Sequence, residues 1–245
     1  MAKSKKKPVG TSAMILAAGL GTRMRPLTDT CPKPLVKVAG RAIIDYTVER
    51  IAAAGIDMLV VNLHYLPEQI EQWAATQSGL NILLSDERGE LLDTGGGVAK
   101  ALDHLGDQPF FVFNSDSFWI DGPHPVLERM RRAWDGKRMD CLLLVADMTN
   151  SVGFYGPGDF DMDDDGRLTR RSESYVSPFV YAGCYLVSPS VFKDAPEGAF
   201  SMNLLWNRAL EAGRLYGLRH DSLWLHVGTP DAIGAAEAVL TGNDQ

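Results

Sequence analysis

Residues 14–40 read MILAAGLGTRMRPLTDTCPKPLVKVAG. The apolar run Met14 to Ala18 stops at Gly19, as a buried parallel strand stops at the loop beyond it. The loop Gly19-Leu20-Gly21-Thr22-Arg23-Met24-Arg25-Pro26 follows directly. Glycines there let backbone N–H groups approach an anion closely. In an open α/β sheet, a loop at the carboxyl end of a strand lies where ligands bind. Two familiar loops are excluded. A dinucleotide fingerprint needs a third glycine where Met24 stands, and a P-loop needs Gly-Lys-Ser/Thr after four spacer residues. Further along, Pro32-Lys33-Pro34 holds a lysine on a stiff segment that is not a helix interior. An arginine and a pinned lysine beside a glycine loop suit a triphosphate.

Outward from this stretch, strand and helix alternate. Ile43 to Ala54 has apolar residues at helical spacing and stops at Gly55. Met58 to Leu63 reads as a strand, and Pro67 opens a helix to about Thr76. Asn81 to Ser85 is a third strand, Gly95 to Gly97 open a helix through Leu105, and Phe110 to Phe113 is a fourth strand that runs into Asn114-Ser115-Asp116. Pro125 to Trp134 reads as a helix and Cys141 to Ala146 as a strand. This order implies right-handed crossovers and a largely parallel sheet covered on both faces. The last third differs. Asp163 to Gly166 reads as a hairpin turn, Tyr181 to Val187 as a strand, Ser201 to Ala212 as a helix, and Leu215–Leu218 and Leu223–Val227 as short strands. Thr229 is expected to cap a final helix with Pro230 at its first position.

The 245 residues are expected to form a flexible basic tail over 1–10 and one domain over 11–245, with a nucleotide-binding part at 11–120 and a sugar-binding part at 121–245. A net charge of -7 excludes general affinity for nucleic acid or an anionic membrane, so positive charge must be concentrated locally. The cysteines, Cys31, Cys141 and Cys184, are odd in number and lack CxxC spacing, which argues against a disulfide framework and fits a cytoplasmic location. No apolar run approaches the ~18 residues needed to cross a bilayer. A monomer or weak homodimer is expected.

The opening stretch resembles the signature of the sugar-nucleotide pyrophosphorylases, GxGTRxxPLTxxxPKPLVxVxG, and the similarity continues through LLDTGGGV (91–98), FNSDS (113–117) and HVGTP (226–230). It covers nearly the whole chain after the tail. It implies a three-layer, Rossmann-like α/β fold of the GT-A-like nucleotidyltransferase kind, with a mixed, mostly parallel sheet flanked by helices. It also implies transfer of a nucleoside monophosphate from a nucleoside triphosphate to a sugar 1-phosphate. Within the family the short length and the triple glycine most resemble members that use UTP and N-acetylmuramate 1-phosphate, and that resemblance implies a role in recycling cell-wall sugar. Guanylyl transfer to mannose 1-phosphate, nucleotidyl transfer to a heptose 1-phosphate, and a non-catalytic nucleotide-sugar sensor are the alternatives.

By this resemblance Arg23, Lys33 and Asp116 are the catalytic residues. Ala18, Gly19, Gly21, Thr22, Arg23, Lys33, Thr94, Gly95, Gly96 and Asn114 are expected to hold the nucleotide, and Asn114, Asp159 and Glu173 the sugar. Asp116, at the end of a buried strand, suits a hard divalent cation, Mg2+ or alternatively Mn2+. Family members usually carry a second metal-binding acid just before Gly-Thr-Pro, where this chain has His226. That histidine reaches a metal, or donates to a phosphate, or Asp116 and the substrate phosphates hold the ion with waters; a simply packed histidine is the remaining reading.

Overall fold

The computed structural model describes residues 8–242. Its centre is a nine-stranded mixed sheet. Ser12–Leu16 lies in the middle, with Met58–Leu63 and Phe110–Asn114 parallel on either side and Asn81–Asp86 beyond the former. On the other flank Phe179–Val187 runs antiparallel to Phe110–Asn114 and to Cys141–Asp147, which in turn pairs in parallel with Leu215–Arg219. The hairpin Phe160–Met162 and Leu168–Arg170 forms the far edge. Its turn falls at Asp163–Gly166 as expected, and Asp163 Oδ1 accepts from the amides of Asp165 and Arg167.

Side chains alternate across this sheet and so build two cores. Ala13 and Ile15 face the helices Ile43–Ala53, Pro67–Thr76 and Val126–Ala133 through Ile44, Val48, Ile70 and Met130. Met14 faces Asp93–Leu105 and Asn203–Glu211 through Val98, Ala101 and Leu205. Burying about 1.5–3 kcal/mol of transfer energy per large apolar side chain is what makes both faces closed layers. A third cluster joins Met24, Val36 and Val38 of the loop region to Leu225, Val227 and Ala236 under the final helix Pro230–Thr241.

Three expectations need correction. The first strand ends at Leu16 rather than Ala18, because the Ala17 amide donates to the Asn62 side chain (2.7 Å) instead of to the ladder. The expected tail over 1–10 includes residues that are tied down. Gly10 N donates to Pro109 O at 2.7 Å, Arg131 donates to Gly10 O, and Val9 packs on the core; residues 1–7 lie outside the described residues. Thr229 does occupy the cap position of the last helix, but its hydroxyl makes no capping bond. Among the described residues, no helix is long and apolar enough to cross a membrane, and the three cysteines are free.

Candidate active site

Leu16 and Asn114 are register partners on adjacent parallel strands, so the chain leaves both strands at the same level. On one side it enters the glycine loop, on the other Ser115-Asp116. Ser115 Oγ donates to Leu16 O (2.7 Å) and ties the two exits together. Gly21 sits at φ 65, in the left-handed region, and a Cβ there would lie 2.9 Å from Thr28 Cγ2. Only glycine lets this loop fold over Thr28, whose hydroxyl donates to Gly21 O (2.8 Å). Lys33 begins a single 3-10 turn between Pro32 and Pro34, which aims its side chain back at the strand exits.

The result is a clamp around one carboxylate. Lys33 Nζ donates to Asp116 Oδ2 at 2.8 Å, and Arg23 Nη2 lies 3.7 Å from the same oxygen. Burial pushes the Asp116 carboxyl up, but Lys33, His226 and Arg23 outweigh burial and hold it below its ordinary value. Burial, with Lys33 and Arg23, pushes the His226 imidazole down despite Asp116. His226 is therefore neutral near pH 7, and there the two long cations supply the charge that keeps Asp116 ionised.

These groups face a cavity of about 500 Å3. Of the residues expected from sequence, Ala18, Gly19, Gly21, Thr22, Arg23, Lys33, Thr94, Asn114 and Asp116 line it. His226 does not line it, although Asp116 is close enough to act on its charge. It is the cross-strand partner of Ser117, its neighbour Val227 donates to Asp116 O (2.8 Å), and its ring meets Phe154 edge-on. Gly95 and Gly96 do not line the cavity. Both amides donate to Phe200 O (2.8 and 3.1 Å), and a Cβ on Gly95 would overlap the Phe200 ring, one on Gly96 the Gly198 carbonyl. These glycines let a helix pack closely on the 198–200 segment. Asp159 and Glu173 also lie off the cavity. Asp159 Oδ2 accepts from the Tyr181 amide (2.9 Å), and exposed Glu173 offers its carbonyl to Arg171 (3.2 Å).

Six further residues line the cavity: Leu16, Asn62, Glu87, Leu91, Asp93 and, in a positioning role, Ser115. Asn62 accepts from Ala17 N and donates to Glu87 Oε1 at 2.7 Å, while Glu87 Oε2 accepts from Leu92 N at 3.3 Å. This buried pair joins the stem of the phosphate loop to the entrance of the helix Asp93–Leu105. The signal for Asn62 was present as a polar residue inside the apolar run MLVVNL. Glu87 carried none that separated it from Asp86 and Glu90.

Among the described residues, no group of three or more His, Cys, Asp or Glu side chains is gathered for a metal. The donor set nevertheless fits a hard divalent ion that keeps waters and takes phosphate oxygens. Asp116 is ionised, and both of its cation contacts fall on Oδ2, so Oδ1 has no ion pair among the described residues.

A family model described as "Nucleotidyl transferase" matches residues 12–242. An N-acetylmuramate alpha-1-phosphate uridylyltransferase of Caulobacter vibrioides is 44% identical over 232 residues, 93% of this chain and 96% of that protein. One of Neisseria meningitidis is 34% identical, over 93% of this chain and 97% of its own length. Among solved structures, a UDP-glucose pyrophosphorylase in complex with UDP-glucose superposes with a TM-score of 0.78 at 17% identity, covering 95% of this chain and 98% of that one. At that identity the likeness speaks to the fold, which is a mixed, mostly parallel sheet between helices.

Proposed function

The chain belongs to the nucleotidyl transferase family, and on that premise we propose that it moves a uridylyl group from UTP to N-acetylmuramate 1-phosphate, releasing pyrophosphate. It is a nucleotidyltransferase by family; the base and the sugar are taken from its two relatives. The observation that carries the mechanism is the convergence of Arg23, Lys33 and Asp116 on one cavity beside a glycine loop.

Chemistry here is positioning and charge neutralisation. A phosphate oxygen of the sugar 1-phosphate attacks the α-phosphorus, the bond from that phosphorus to the bridging oxygen breaks, and pyrophosphate leaves with the electron pair. The attacking oxygen is already anionic at neutral pH, so no general base is needed. The loop amides around Gly19 and Gly21, with Arg23, hold the outer phosphates. Lys33 holds the α-phosphate or the incoming phosphate. Asn114, at the strand exit, lies between nucleotide and sugar. Asp116, with His226 nearby, would hold a divalent ion, and such an ion would supply charge neutralisation. Mg2+ suits the oxygen donors, and the imidazole makes Mn2+ acceptable.

On this reading the enzyme works in the cytoplasm as a monomer or weak dimer and returns a cell-wall sugar to its activated form. A panel of triphosphates against several sugar 1-phosphates, read as pyrophosphate release, tests it. UTP with N-acetylmuramate 1-phosphate must give the highest kcat/KM. A higher value for GTP with mannose 1-phosphate overturns the substrate assignment, and no release with any pair overturns catalysis.

A further inference from the structure

We propose that Tyr65 is a positioning residue that sets the affinity for the outer phosphates: its hydroxyl holds the far side of the glycine loop, so that the loop meets a triphosphate or pyrophosphate already shaped. The inference rests on the part the loop plays in the reaction above and extends it to a residue that does not line the cavity.

The chain leaves its first strand into the glycine loop and comes back to the site at Pro32-Lys33-Pro34. Of residues 22–30 between these points, only Met24 and Thr28 are buried. Thr28 is the inner contact of the loop. Its hydroxyl donates to Gly21 O (2.8 Å), and its methyl group stands where a Cβ on Gly21 would press. The Arg25–Asp29 ion pair and the bond from Asp29 N to Pro26 O stay inside the segment. Among the described residues, the hydrogen bonds that tie the backbone of 25–31 to the rest of the fold come from two side chains. Tyr65 Oη donates to Thr28 O at 2.8 Å, with Asp29 O at 3.4 Å, and Gln69 Nε2 donates to Thr30 O at 2.9 Å. An exposed segment with so few ties opens easily when one is lost. A ligand must then order the segment as it binds, and affinity falls.

The strand Met58–Leu63 places these ties. Asn62 accepts from Ala17 N where the loop begins. Leu63 O accepts from Glu87 N (2.8 Å), and His64 Nδ1 lies 2.7 Å from Glu87 O, so the strand exit is fixed to the opposite cavity wall. Tyr65 then reaches the far side of the loop. The chain turns at Leu66, which sits in the left-handed region (φ 48), and Pro67 starts the helix at once. That conformation is unfavourable for a residue with a Cβ. It persists where the surroundings fix the backbone on both sides, as the ties of His64 and Tyr65 and the helix do here. One strand exit thus grips the phosphate loop at its start and at its outer turn.

The test compares wild type with Tyr65→Phe, which keeps the ring and removes the hydroxyl. The control is Tyr46→Phe, which removes a hydroxyl that donates to Val38 O (2.9 Å) away from the cavity. Titration calorimetry with UTP and with inorganic pyrophosphate, each with Mg2+, gives two affinities. Forward and reverse kinetics give KM for N-acetylmuramate 1-phosphate and for its UDP-sugar, and the thermal midpoint is recorded for each protein. Tyr65→Phe is expected to weaken both UTP and pyrophosphate roughly tenfold, about the effect of one lost hydrogen bond, with both sugar KM values near wild type. Tyr46→Phe is expected to lower the thermal midpoint and keep all four values. Unchanged binding of UTP and pyrophosphate by Tyr65→Phe, or a loss that falls equally on all four ligands, overturns the inference and leaves the proposed function standing. A wild type that releases no pyrophosphate from any substrate pair overturns the proposed function, and the binding comparison still decides the role of Tyr65.

Discussion

Lys33 and Arg23 approach the same oxygen of Asp116, at 2.8 and 3.7 Å, but only the lysine is held there. The Lys33 side chain is 13% exposed and that of Arg23 is 65% exposed. Two prolines and burial preset the lysine, whereas the arginine sits on an open loop, where solvent screening weakens its pair. Without substrate, the lysine neutralises a carboxylate that burial would otherwise push toward its protonated form. Lys33→Met and Asp116→Asn are each expected to lower kcat by about 10²–10³ with a folded protein by circular dichroism. Arg23→Met is expected to act more on the KM for UTP. Unchanged turnover in the lysine variant removes it from the reaction.

A second prediction concerns the triple glycine. Because the Gly96 amide donates to Phe200 and its missing Cβ makes room for the Gly198 carbonyl, Gly96→Ala is expected to destabilise the fold by about 1–3 kcal/mol. Urea denaturation measures this. The KM for UTP should hardly move; a large rise in KM at unchanged stability would instead support base contact.

The contrast between Lys33 and Gly96 shows what a sequence reveals. Lys33 is pinned by its immediate neighbours, Pro32 and Pro34, so its role is local and legible. The glycine loop is legible for the same reason, and so is the alternation of apolar runs that sets strand and helix. Gly95 and Gly96 face Phe200 and Gly198, which arrive from a distant part of the chain, and no local pattern announces that contact. Asp159 is similar: an acid in an acidic loop, its partner the Tyr181 amide across a sheet edge. Gly10 counts as tail by composition, yet Pro109 and Arg131 hold it. Local constraints are written in sequence, while contacts between remote segments emerge from the sheet.

The Asn62–Glu87 pair offers a third test. Asn62 is 2% and Glu87 1% exposed, and Asn62 bonds both the carboxylate and the Ala17 amide. Asn62→Leu is nearly equal in volume but leaves Ala17 N and Glu87 Oε1 without partners. A loss of about 1–3 kcal/mol per stranded group is expected, with a raised KM for UTP because the phosphate loop loses its anchor. Equal stability and KM would reduce the pair to a bystander.

Chelation tests the metal assignment. EDTA is expected to abolish turnover, and either Mg2+ or Mn2+ to restore it. His226→Asn removes the borderline-soft donor beside Asp116 while keeping a polar side chain, so it should lower activity with Mn2+ more than with Mg2+. An identical ratio of the two rates in wild type and variant would remove His226 from the metal's surroundings.

A last prediction links a buried histidine to acid stability. His220 is fully buried; its Nε2 lies 3.3 Å from Leu223 O, and Nδ1 has no partner among the described residues. Burial pushes its pKa below the ordinary 6.5, against the pull of the Leu223 backbone, Asp221, Asp121 and the Ile120 backbone toward the charged form. The native state therefore takes up its proton later than the unfolded chain as pH falls. Between the two pKa values the unfolded chain binds more protons, so stability rises with pH across that window. The contribution is complete above about pH 6.5 and is lost below it, with a slope of at most about 1.4 kcal/mol per pH unit for one proton. His226 adds to the same slope, since burial also lowers its pKa. His220→Gln keeps a donor toward Leu223 O but cannot titrate. Denaturant unfolding from pH 7.5 to 5 should therefore fall less steeply for the variant than for wild type, whatever the difference in their stability at pH 7.5. Parallel curves would mean that His220 is protonated in the folded state as readily as in the unfolded chain.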